Sequence, residues 1–244
     1  MTKRALIGAM LAASLLAGCM GLAGCGRGAG EGGGVGMPGV FQSNTVIDWV
    51  DSVRFDGVSY LAANPGRSLQ SGDLGAQFTK VSFQVAENVH DPNYHMRDGD
   101  ATYLAAGTPI YRVNDYAPTF RLAARSGDHV ILYEADTNPR ATVGGDLLDI
   151  GGRVRVITVT EDTQAAHTVA TISDSLQVRT LVTLLLSAPV NQQHDSGDGP
   201  RYFLTFALND GTQVARVYMP EGHEVGRGII VPPAFVSMLT ALGV

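Results

Sequence analysis

Between Asn44 and Thr160 the sequence holds no long helical period, and this constrains its fold more than any other feature. Short β-type segments follow one another, each closed by turn residues. Residues 46 to 50 are apolar around Trp49. Residues 53 to 61 (VRFDGVSYL) place Asp56-Gly57 where a two-residue hairpin turn needs residues that tolerate positive φ. Further strands are expected at residues 80 to 85, 108 to 113, 120 to 124 and 130 to 134. Residues 153 to 158 (RVRVIT) alternate strictly, as a half-buried strand should.

From His167 the rhythm changes. Residues 168 to 172 read as a strand, and Ser173 or Asp174 can cap the helix that follows. Leu176, Val178, Leu181, Val182, Leu184 and Leu185 give that helix a broad apolar face, and Pro189 lies just past its end. Residues 202 to 208 and 212 to 219 are joined through Asn209-Asp210-Gly211 as a hairpin. A short strand at residues 228 to 231 and a last helix opened by Pro232-Pro233 complete a βαβββα order. The expected class is therefore α+β: a β-rich domain over residues 44 to 160, then a small antiparallel-sheet domain with helices on one face over residues 167 to 244. The polar residues 161 to 166 (EDTQAA) are read as the linker.

Residues 1 to 18 have the parts of an export signal: cations at Lys3 and Arg4, an apolar run from 5 to 17, and small residues before Cys19. The run is shorter than the roughly 20 apolar residues that cross a hydrocarbon core. Residues 19 to 43 include a run that is more than half glycine and read as a flexible tether. No strand precedes this run and no Lys-Ser or Lys-Thr pair closes it, so a phosphate-binding loop is not indicated.

Leu16-Ala17-Gly18-Cys19 resembles the lipobox of bacterial lipoproteins, and Leu22-Ala23-Gly24-Cys25 repeats it. The resemblance implies a diacylglyceryl group on the thiol and cleavage just before the cysteine. Acyl chains in pairs anchor stably where one alone binds marginally. The length of the apolar run favours Cys19; Cys25 is the alternative, because its use would leave no unpaired thiol in an oxidising compartment. These are the only two cysteines, so neither choice leaves a disulfide within the chain. Two further stretches, DGDATYLAAGTPIYRVNDY (98 to 116) and the region from ISDSLQVRTLVTLLLSAPV to RYFLTFALNDGTQ (172 to 213), resemble lipoproteins of Gram-positive, spore-forming bacteria. That resemblance implies address and architecture and carries no catalytic residue across.

The chain is 45% hydrophobic and 16% charged, enough to bury a core. Its formal net charge is −6, two of its cations lie in the leader, and the remaining arginines are scattered. Nucleic acid and polybasic contact with anionic lipid are therefore not expected.

The densest polar group is residues 90 to 100, where His90, Asp91, His95, Asp98 and Asp100 offer imidazole and carboxylate ligands for a divalent metal. Their spacing matches neither a helical zinc pair nor a calcium loop, and Pro92 and Gly99 suit turns in a solvated loop. His194-Asp195-Ser196 lacks the turn of a nucleophilic serine, and His223-Glu224 reads as a turn between strands. Trp49, Tyr60, Phe83, Tyr103, Tyr111, Phe120 and Tyr133 could line a groove for sugar or peptide, but core packing is their default role. The leading reading is a non-enzymatic binding or accessory module, exported and held by lipid on the outer face of the cytoplasmic membrane, or on an outer membrane where there is one. Its partners are the membrane and an envelope protein or small ligand, and no cofactor is expected. An envelope hydrolase or a divalent-cation binder using the His90 to Asp100 loop, with His90, His95, Asp98 and Asp100 as the candidate metal ligands, is the alternative.

Overall fold

Asp56 and Gly57 have φ of 50° and 74°, as a type I′ turn demands, and between them they close the first hairpin. The structure, a computed structural model, describes residues 49 to 161, 167 to 193 and 197 to 244. The leader, Cys19, Cys25, the glycine-rich run and most of the expected linker lie outside the described residues.

The first hairpin joins β1 (Ser52–Phe55) to β2 (Val58–Ala63). It is followed by β3 (Leu74–Lys80), β4 (Phe83–Gln84), β5 (Asp100–Ala101), β6 (Pro109–Val113), β7 (Arg121–Ser126) and β8 (His129–Thr137). These eight strands form one sheet in the order β3-β6-β7-β8-β2-β1-β5-β4, antiparallel except for β4 on β5. Val53, Phe55, Tyr60, Ala101, Ile110, Leu122 and Tyr133 share a single core, so the sheet curls and brings strands from its two halves together. The strand expected at residues 80 to 85 begins where β3 ends. Bulged pairing with β6 interrupts the alternation that would have marked β3 in the sequence.

The second sheet contains β9 (Val154–Glu161), β10 (Thr168–Ile172), β11 (Tyr202–Leu208), β12 (Gln213–Met219), β13 (Glu224–Val225) and β14 (Ile229–Ile230), in the order β10-β9-β11-β12-β13-β14. Helix α1 (Ser175–Ser187) follows β10, and α2 (Pro233–Thr240) follows β14. The Asp174 carboxylate accepts hydrogen bonds from Leu176 N and Gln177 N, satisfying two donors that open α1. Register places Ile157, Phe206 and Val214 on one face, together with Val159 and Leu204. Val178, Leu181, Val182 and Leu185 of α1 and Phe235 and Leu239 of α2 bury that face. Each such side chain contributes about 1.5–3 kcal/mol by leaving water.

The seam between the sheets is not where the linker was expected. β9 lies between β10 and β11, so the stretch expected to close the first domain supplies an inner strand of the second sheet. Ala141, Leu147, Leu148 and Ile150 join the same core as the helices. Gly144 donates to Ala188 O at 2.8 Å, and a Cβ there would stand 2.2 Å from Leu185 O, so only glycine permits this approach to the end of α1. Residues 44 to 244 form one compact unit. Among the described residues the structure is thus mostly β, with two sheets and two α-helices.

Candidate functional site

The turn between β7 and β8 is Gly127-Asp128, with Gly127 at φ 59°, which suits the first position of a type II′ turn. Its register sets Arg121 opposite Glu134 and Leu122 opposite Tyr133, on opposite faces of the sheet. The Leu122 face turns to the curled core. The Arg121 face meets the tip of the β11–β12 hairpin, and there Arg121 and Glu134 are 1% and 3% exposed.

Glu134 takes two guanidinium groups. Its Oε1 accepts from Arg121 Nε at 3.0 Å and Nη2 at 2.7 Å, and its Oε2 accepts from Arg216 Nη1 at 2.8 Å. Arg121 also donates to Thr212 Oγ1 at 3.0 Å and to Gln213 O at 2.9 Å, and its guanidinium lies 4.5 Å from the Tyr116 ring centroid. Asp210 accepts from Tyr116 and Thr212. Burial pushes the Asp210 carboxyl up, but the Thr212 and Tyr116 hydrogen bonds prevail and hold it below its usual range. Every buried side-chain nitrogen or oxygen among the described residues has a partner, which lets charges persist there despite their desolvation.

Beside this network a cleft of about 680 Å³ opens between β2, β8 and β12. Arg201, Arg216 and Arg227 line it with Glu134 and Asp136, and Phe203, Val217 and Met219 supply apolar wall. Pairing of Phe203 with Val217 puts both on the sheet face away from Leu204 and its helix-covered core. Arg227 Nε stands 2.9 Å from Asp136 Oδ2. Burial raises the Asp136 carboxyl above its usual range, opposed by Arg227 and Arg216. Arg201 is exposed and has no hydrogen-bond or ion-pair partner among the described residues. Three guanidiniums against two carboxylates, one of the three uncommitted, suit an anionic group carried on an apolar body. Among the described residues, no histidine, cysteine or serine lines the cleft.

The residues singled out between 90 and 100 are divided among separate tasks. His90 and His95 are exposed. Asp91 accepts from Asn93 N at 2.9 Å, an Asx turn. Asp98 accepts from Gly57 N at 2.8 Å and faces Arg54 at 3.6 Å, which braces the first hairpin. Asp100 is buried and accepts from the Tyr94 hydroxyl and Arg97 N, each at 2.7 Å. No group of three metal-ligating side chains converges among the described residues. His194, Asp195 and Ser196 lie outside the described residues, as do both cysteines. His223 does sit in a turn, at φ 52°, but Glu224 opens β13, is buried, and accepts from Gly228 N at 2.6 Å. Of the aromatics, Tyr60, Phe120 and Tyr133 are core, whereas Tyr103 is 48% exposed.

Arg121, Glu134, Arg201, Arg216 and Arg227 went unnoticed in the sequence. A signal existed for the first two: they are equally spaced from Gly127-Asp128, so a two-residue turn makes them cross-strand partners. Nothing local marks the other three. Compared with known proteins, the chain matches no family model, no curated protein and no solved structure.

Proposed function

We propose that this chain is a non-enzymatic binding module of the cell envelope, exported and anchored through lipid on Cys19 or, alternatively, Cys25, with the arginine-lined cleft as its ligand seat. The observation that carries the ligand reading is Arg201, an exposed cation that lines the cleft with Phe203 and has no partner among the described residues, beside guanidiniums that are already committed. A ligand carrying an anionic group would engage Arg201 without breaking the pairs that hold the sheets together. The lipid reading rests on the two Leu-Ala-Gly-Cys tetrads behind a charged and then apolar start.

In the same reading the chain runs from a β-rich domain into a small α+β domain, with the seam moved from residues 161 to 166 to the end of β8. The residues after β8 bury their side chains with the helices, which supports the shift.

Anilinonaphthalene sulfonate, an anionic aromatic dye, tests the seat. Saturable binding by the native protein is expected to weaken by about tenfold in Arg201→Ala, the loss of one charge-assisted contact. Binding that is unchanged in both Arg201→Ala and Phe203→Ser would refute the cleft. Intact-mass analysis of membrane fractions tests the anchor: an acylated N-terminal cysteine is expected, and an unmodified chain retaining Met1 would refute it.

A further inference from the structure

Where the chain enters the folded unit, two large apolar side chains stand exposed, with half-buried Asp51 beside them. Val50 is 67% exposed and Tyr103 is 48% exposed, and the Tyr103 hydroxyl donates to Trp49 O at 2.5 Å, which holds the tyrosine beside the entering strand. The chain on either side of Tyr103 reinforces the patch. Residues 101 to 110 carry no charge, and Ala105, Ala106 and Gly107 are exposed. The other exposed large apolar side chains, Val143, Leu176 and Leu242, lie elsewhere in the sequence and have no exposed aromatic beside them. Such scattered residues are ordinary, whereas an aromatic patch at a chain entry calls for a partner.

We propose that Trp49, Val50 and Tyr103 form a docking patch that rests on the headgroup region of the bilayer and seats the folded unit against the membrane. This inference rests on the lipid-anchor reading. The roughly 30 residues between Cys19 and Trp49 span at most about 100 Å even when fully extended. An acylated cysteine therefore keeps the patch close to lipid, where a contact too weak to recruit a free protein becomes intramolecular. Tryptophan and tyrosine suit this layer because each pairs an apolar ring with a polar tip. With a net charge of −6, the protein gains nothing from anionic headgroups, so contact through uncharged rings fits its charge.

Trp49 is the only tryptophan of the chain, so its fluorescence reports on the patch directly. The full acylated protein is reconstituted in phosphatidylcholine vesicles with or without bromine on the acyl chains, and its intact mass is read on the same sample. Brominated lipid is expected to cut Trp49 emission about twofold with a blue shift, at low and high salt alike. Val50→Asp and Tyr103→Ser, both at exposed positions, are expected to abolish the quenching while leaving the protein on the vesicles. Acylated protein whose Trp49 is not quenched would overturn the docking patch and leave the anchor standing. Quenching that survives both substitutions would overturn it as well, since the tether alone would then explain the proximity. A chain without acyl mass would overturn anchor and patch together.

Discussion

Arg121 and Glu134 face each other across the β7–β8 hairpin, Nη2 to Oε1 at 2.7 Å, and the pair is sealed by Thr212 of the β11–β12 turn and by Gln213 and Arg216 of β12. A cross-strand ion pair of the first sheet thus doubles as the fastening between sheets. A buried carboxylate between two guanidiniums is sustained only while all three are present, because a lone buried charge loses its hydration without return.

Glu134→Gln is expected to destabilise the protein by about 3–5 kcal/mol, read from the urea midpoint, because it takes the directly paired carboxylate from the buried Arg121 guanidinium. Replacing Arg121 with Met and Glu134 with Leu together is expected to cost less than Glu134→Gln alone. A near-neutral Glu134→Gln would show that the site admits water freely.

Gly144→Ala is expected to cost about 2 kcal/mol or more, since the new methyl would collide with the backbone carbonyl of Leu185 rather than with a side chain able to move. Gly72→Ala, with open space around it, is expected to stay within about 0.5 kcal/mol. Equal melting temperatures for the two variants would contradict the close approach.

Asp146 accepts from Thr142 N at 2.8 Å and Val143 N at 3.1 Å, and those backbone donors hold its carboxyl below the usual range. A lowered native value means the contribution is complete above the unfolded-state value and is lost as pH falls through the native one. Asp146→Asn is therefore expected to destabilise by about 1 kcal/mol at neutral pH, a gap that closes in strong acid. A gap independent of pH down to full protonation would assign the loss to packing instead.

His90→Ala and His95→Ala are each expected to leave stability within about 0.5 kcal/mol. Asp100→Ala is expected to cost about 2 kcal/mol, because it strands the Tyr94 hydroxyl and Arg97 N in a part-buried loop. Zinc or calcium at modest excess is expected to leave the melting temperatures of the parent protein and all three variants where they were. A metal-dependent rise removed by these substitutions would instead promote the cation-binding alternative.

A fragment beginning at His167 lacks β9, which separates β10 from β11, and would leave Phe206 and Leu204 without the neighbours Ile157 and Val159. It is expected to show no cooperative thermal transition by circular dichroism. A cooperative melt would restore the boundary at residues 161 to 166.

By itself the sequence determined what neighbouring residues settle: the Asp56-Gly57 and Asn209-Asp210-Gly211 turns, a cap of α1 at Ser173 or Asp174, the proline entry to α2, and the alternation of β9. Such features depend on φ preferences and on hydrogen bonds spanning two or three residues. Only the tertiary structure decided that β9 joins the second sheet, that Asp100 is buried while His90 and His95 are not, and that Arg121 and Glu134 lie under a hairpin more than 75 residues away in sequence. Alternation tells which side chains share a face but not what that face will meet. Whether an arginine is a solvated ornament or a buried fastening depends on distant chain, so its burial cannot be read from its own neighbours.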